Sequence, residues 1–164
     1  MLENKNICSK CGGKCCKLMP GACYPEDFGL PNDHSKLNAT LSCGKYAIDW
    51  WEGDARDDFE ELLKTYFVRP ATKNKEGVLY DPSWGGPCIF LSDDGCTLDA
   101  DERPLNCKKL EPKENEKCIL HDGVSKQNAA IAWIPYQDKL KGRKHETTSH
   151  CNEKTWWTDS CFWL

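Results

Sequence analysis

Cys8–Cys16 reads C-S-K-C-G-G-K-C-C, and the remainder of the chain is read around it. Cys8 and Cys11 have the C-x2-C spacing of a metal knuckle, in which a short turn lets two thiolates converge on one ion. Gly12 and Gly13 permit the sharp reversal that would bring Cys15 or Cys16 back to the same place. Consecutive side chains diverge on a regular backbone, so Cys15 and Cys16 suggest two centres, or one centre and a spare thiol. The stretch points to metal without choosing the ion.

A second cysteine-bearing stretch spans Ser83–Pro112, SWGGPCIFLSDDGCTLDADERPLNCKKLEP. Cys88–Leu91 is a predicted strand, Asp93-Asp94-Gly95 a hairpin turn and Cys96–Leu98 the return strand, which would set Cys88 near Cys96. Pro104 is predicted to start a helical turn that carries Cys107 in its first residues, where amide dipoles favour a thiolate. Arg103 is placed to offset anionic cysteines. Cys118-Ile119-Leu120-His121 adds a C-x2-H pair, although a lone histidine is more often a solvated loop residue.

Length and composition bound the reading. A chain of 164 residues is predicted to be one domain, residues 1–164, with enough length to bury a core. The formal charge of -4 is spread along the chain without a basic stripe, which argues against a nucleic-acid partner. No apolar run approaches the length of a membrane span, and MLENKNICSK does not read as a secretory leader. A cytoplasmic protein is therefore expected, in whose reducing surroundings twelve cysteines favour thiolate–metal sites over a disulfide scaffold. Some, such as Cys23, Cys43 or Cys161, would be small buried apolar residues.

Between the motifs, Tyr24–Phe28 is expected to open a single helical turn with Pro25 at its first position. Residues 40–51 are read as a short helix weakened by Gly44. Residues 54–67 give the clearest helical pattern: Phe59, Leu62, Leu63, Tyr66 and Phe67 recur at i, i+3, i+4, i+7 and i+8, an apolar face expected to supply much of the core. The two lie in a helical insert over about residues 36–70. Residues 129–136 are read as a strand that Pro135 ends. The tail over about residues 152–164 is aromatic, and is expected to dock on the domain or on a partner, because each large aromatic buries roughly 150–250 Å².

In combination, C-x2-C-x3-C-C, the C-x7-C hairpin and R-P-x-x-C resemble the YkgJ-type cysteine-cluster proteins, described as zinc- or iron-chelating domains. That family commonly has two residues between the second cysteine and the Cys-Cys pair, where this chain has Gly12-Gly13-Lys14. The resemblance maps the family's motif cysteines onto Cys8, Cys11, Cys15, Cys16, Cys88, Cys96 and Cys107, with Cys118 as the eighth. It covers the start of the chain and the stretch from Trp84 to Cys118. It implies a metal-binding protein with a thiolate-ligated zinc or iron–sulfur centre or centres, in an accessory or structural role. The alternative is an iron–sulfur redox protein, or an accessory of a modifying enzyme such as a protein methylase.

The expected architecture is α+β: a small, irregular, metal-stapled domain with a few helices and a short β-hairpin. A protein partner is compatible with the sequence. No residue is assigned a catalytic role, because no P-loop, dinucleotide fingerprint, nucleophile elbow or zinc-protease motif is present. A free reactive thiol is a further candidate, either the spare sulfur of Cys15-Cys16 or Cys107.

Overall fold

Tyr46–Glu52 (β1, YAIDWWE) and Lys64–Pro70 (β2, KTYFVRP) are rich in aromatic and β-branched residues, and they pair antiparallel in the register Tyr46↔Pro70 to Glu52↔Lys64. They form the centre of a computed structural model that describes residues 12–82, 85–109 and 125–144. Both outer edges of this ladder are occupied. On the β1 side, the Ile48 N–H donates to the Leu79 carbonyl at 2.7 Å and its carbonyl accepts from Asp81 N–H at 3.0 Å. On the β2 side, the Gln137 side chain accepts from Tyr66 N–H and donates to the Tyr66 carbonyl, both at 2.8 Å.

The helices are short. Lys14–Leu18 (α1) lies at the start of the described chain, and Ser35–Ser42 (α2) precedes β1. Gly44, at φ 75, stops α2 in the left-handed conformation that glycine adopts without steric cost. Leu105–Lys108 (α3) follows the second hairpin, and Lys126–Trp133 (α4) runs through a 3₁₀ turn at Ile134–Tyr136 into Gln137–Leu140 (α5). Ser125 caps α4 by accepting from Asn128 N–H at 3.0 Å. Pro25–Phe28 forms the expected single turn, in 3₁₀ geometry. Leu91–Ser92 (β3) and Gly95–Cys96 (β4) make the small hairpin around Asp93-Asp94. The result is a small α+β domain with a few helices and short antiparallel strands.

Three predicted elements differ. The helix over 54–67 is a loop followed by β2: Phe59 is 53 % and Leu63 90 % exposed, while Phe67 is fully buried in the strand. The helical periodicity arises where two outward loop residues precede a strand whose inward residue falls in step with them. Residues 40–51 divide at Gly44 into the end of α2 and β1, so the expected helical insert is largely a β-hairpin. Residues 129–136 are helical, as the alanines of Lys126–Trp133 favour, and Pro135 sits in the first turn of the 3₁₀ segment, where its missing N–H costs nothing. The tail from 152 lies outside the described residues.

The core joins Cys23, Phe28, Leu37, Ile48, Phe67, Val68, Trp133 and Leu140. Trp133 packs against Phe28 at 5.8 Å between ring centroids, and its indole N–H donates to the Cys23 carbonyl at 2.9 Å. A fully buried guanidinium runs through the apolar interior. Arg69 on β2 donates to Asp49 Oδ2 at 2.7 Å, to the Asp81 carbonyl at 2.7 Å, to Asp81 Oδ2 at 3.1 Å and to the Pro70 carbonyl at 3.0 Å. Lys126 reaches Asp49 at 3.2 Å and Lys75 reaches Asp81 at 3.0 Å, so each buried carboxylate meets two cations. The network ties β1, β2, the segment after it and α4 together. Among the described residues, no helix is long and apolar enough to cross a membrane.

Candidate functional site

The cysteine-bearing segments do meet. Gly13 precedes α1 at φ 68, a left-handed conformation that favours glycine, and a Cβ there would also lie 2.5 Å from Leu91 Cδ1 of the small hairpin. The Cys16 carbonyl then accepts from Cys88 N–H and the Leu18 carbonyl from Gly86 N–H, both at 2.8 Å. These bonds fix α1 along residues 86–88. On the other side, Gly21 packs on Cys107, where a Cβ would fall 2.4 Å from its Sγ.

Asp27 positions α3. Its carboxylate accepts from Leu105 N–H at 3.0 and 3.1 Å and from Tyr24 N–H at 2.8 Å, so one side chain satisfies the start of two short helical turns. Burial pushes the Asp27 carboxyl above the ordinary carboxylate range, against the opposing effect of those N–H donors. Asp27 and Gly21 were not evident as site residues. Both act through backbone geometry between segments some 80 positions apart in the chain, roughly the separation of Asp27 from Leu105.

The sulfurs divide into two kinds. Cys15 and Cys16 are half-buried with their Sγ atoms 3.9 Å apart. The thiol–thiolate hydrogen bond between them lowers the ionisation of Cys15 to about 6, with a smaller contribution from the Arg103 guanidinium. Its partner Cys16 is raised, first by the same hydrogen bond and then by partial desolvation. Cys23, Cys88 and Cys107 are held as neutral thiols by desolvation. Cys88 is pushed up to about 11, and Cys107 and Cys23 are raised further, each chiefly by desolvation. Cys43 donates its S–H to the Thr40 carbonyl at 2.9 Å.

This geometry corrects the metal reading. Among the described residues, no group of three or more His, Cys, Asp or Glu side chains is arranged to hold a metal ion. Cys15 and Cys16 face each other, Cys107 is packed on Gly21, and the register partner of Cys96 in the small hairpin is Leu91. A closed thiolate site needs its ligands convergent on one point, and these sulfurs do not provide it. The zinc or iron–sulfur cofactor, the metal-binding function and the resemblance to the cysteine-cluster family are all overturned by this finding. Cys8, Cys11 and Cys118 lie outside the described residues. Cys107 is corrected as a nucleophile too, because burial keeps it a thiol where a helix start was expected to ionise it. Arg103 stands as anticipated: its Nε is anchored on the Leu98 carbonyl at 3.2 Å, and its charge favours the Cys15 thiolate. No family model, curated protein or solved structure matches the chain.

Proposed function

We propose that the chain carries a nucleophilic thiol site that acts in thiol–disulfide exchange, with Cys15 as the attacking sulfur and Cys16 as the hydrogen-bond donor to its thiolate. The observation that carries this reading is the 3.9 Å contact between two half-buried thiols. A thiolate is the reactive form of cysteine, and the hydrogen bond with Cys16 favours that form at Cys15. An attacking thiol of this kind combines a high thiolate fraction with useful nucleophilicity.

In the step itself, the Cys15 thiolate forms a bond to one sulfur of a substrate disulfide. The bond between the two substrate sulfurs breaks, and the displaced sulfur leaves as a thiolate that takes a proton from water. The displaced substrate sulfur is reduced while the other is held in a mixed disulfide with Cys15, and attack of a second thiol on the Cys15 sulfur releases it as a thiolate by the same chemistry. Cys16 strengthens the thiolate before attack by donating its S–H. Arg103 contributes positive charge that favours the thiolate.

Alkylation by iodoacetamide across pH 4–10, with each cysteine followed separately by mass spectrometry, tests the assignment. Cys15 is expected to react fastest at pH 7, with a rate that reaches half its plateau near pH 6. A Cys15 rate that rises only near pH 9, as for an ordinary thiol, or a faster reaction at Cys96, would sink the reading.

A further inference from the structure

The strongest apolar pattern in the sequence, residues 54–67, leaves two of its large side chains in water. Phe59 and Leu63 are 53 % and 90 % exposed on the loop between β1 and β2. The loop segment Asp54–Leu63, DARDDFEELL, holds five acids against a single arginine, and Asp57, Asp58, Glu60 and Glu61 are all exposed around Phe59.

This loop is held in one shape. Its base closes through Gly53 N–H to the Leu63 carbonyl at 2.8 Å. The buried Thr65 hydroxyl accepts from Ala55 N–H at 3.0 Å and donates to the Gly53 carbonyl at 2.9 Å. Arg56 grips Asp54 through two nitrogens at 2.9 and 2.5 Å, reaches Glu61 at 2.9 Å and lies 4.3 Å over the Phe59 ring. Gln127 on α4 holds the Ala55 carbonyl at 3.0 Å and the Asp57 carboxylate. Braces from β2, from α4 and from Arg56 within the loop therefore hold Phe59 and Leu63 exposed on one fixed segment. Such preorganisation removes the ordering cost that a flexible loop would meet on binding.

We propose that this loop docks on a protein partner that offers an apolar pocket or face rimmed by lysine and arginine. The charge pattern selects that occupant. The acids around Phe59 would be repelled by an anionic lipid surface, whatever its apolar interior could accept. A second copy of this chain, which carries net charge -4, would bring the same acids face to face across a two-fold axis. A cationic rim complements the loop, and an apolar centre buries Phe59 and Leu63.

The probe is a synthetic fourteen-residue amphipathic helix of leucine and lysine, labelled with fluorescein and followed by anisotropy, beside a counterpart with glutamate for lysine (a length of about four helical turns). The intact chain is expected to bind the lysine peptide saturably and the glutamate peptide not at all. Phe59→Ser with Leu63→Ser should weaken binding at least tenfold, and Asp58→Asn with Glu60→Gln should weaken it and flatten its salt dependence. An unchanged thermal midpoint in both variants, expected for exposed positions, ties the loss to the surface. The proposal is overturned if wild type fails to bind the lysine peptide, or if the serine variant binds as well as wild type. It is equally overturned if sedimentation shows a dimer that the serine variant dissolves, or if phosphatidylserine vesicles bind wild type and not that variant.

Discussion

Replacing Arg69 with methionine removes the one cation that contacts both buried carboxylates. Asp49 and Asp81 have side chains only 3 % and 4 % exposed, and each would keep a lysine beside it: Lys126 at 3.2 Å for Asp49 and Lys75 at 3.0 Å for Asp81. The Asp81 and Pro70 carbonyls would lose their guanidinium donors as well. Removing one partner of a buried ion pair costs about 3–5 kcal/mol, because the charge left behind is desolvated without full compensation. Methionine fills part of the volume, and the two lysines hold the cost within that range. A domain of this size has a total stability of about 5–15 kcal/mol, so the variant should be folded but marginal. With a urea dependence of about 2 kcal/mol per molar, the unfolding midpoint should fall by about 2 M. Circular dichroism and tryptophan fluorescence, followed through the same urea titration, measure it. Lys126→Met should cost only about 1 kcal/mol, since that lysine is partly exposed and Asp49 keeps Arg69. An Arg69→Met variant within 1 kcal/mol of wild type would refute the view that this guanidinium organises the interior.

The register of β2 predicts opposite outcomes at two positions that the helical pattern would treat alike. Phe67→Ala should cost about 3–5 kcal/mol and Leu63→Ala less than about 0.5 kcal/mol, both read by urea unfolding. Gly21→Ala should destabilise by about 1–3 kcal/mol through its clash with Cys107 Sγ. Adding Cys107→Ala should recover part of that loss, and a double-mutant cycle with no coupling would show that the two residues do not touch. Arg103→Met should move the half-rate pH of Cys15 alkylation upward from about 6. The guanidinium favours the thiolate, so its loss requires less acidic solution for the same ionised fraction, and an unchanged or lowered profile would remove Arg103 from the site.

Local chemistry was the legible part of the sequence. Pro25 with acids behind it opened a turn, Asp93-Asp94-Gly95 closed a hairpin, and Pro104 started the turn that carries Cys107. Cys23 is the small buried apolar residue anticipated from its type. The central hairpin was hidden because its second strand is preceded by an outward Phe59 and Leu63, so the spacing to Phe67 imitates a helix. The run Thr65–Val68, facing the equally β-prone Tyr46–Trp51, was the competing signal, and a positive φ of 65 at Asp57 marks where the chain cannot be helical. For the site, the adjacency of Cys15 and Cys16 was plain, and so was the difficulty of aiming both at one ion. Which thiol ionises was not readable, because it depends on the folded geometry of the hydrogen bond between them, then on desolvation, with a smaller contribution from Arg103 on a segment far along the chain. Motif spacing describes where ligands stand in sequence, whereas the folded sulfurs turn towards each other and into the core.

The amide of Gln137 has a bearing on how the protein ages. A strand edge with an open N–H and C=O can recruit a strand from another molecule, and here one side chain imitates a neighbouring strand at Tyr66 while also donating to the Trp133 carbonyl at 3.0 Å. Deamidation to glutamate would leave an acceptor facing two carbonyl oxygens and strip the guard from β2. Slow chemical damage at a single residue, without any change in the hydrophobic core, would then expose a strand edge on which a second molecule could pair.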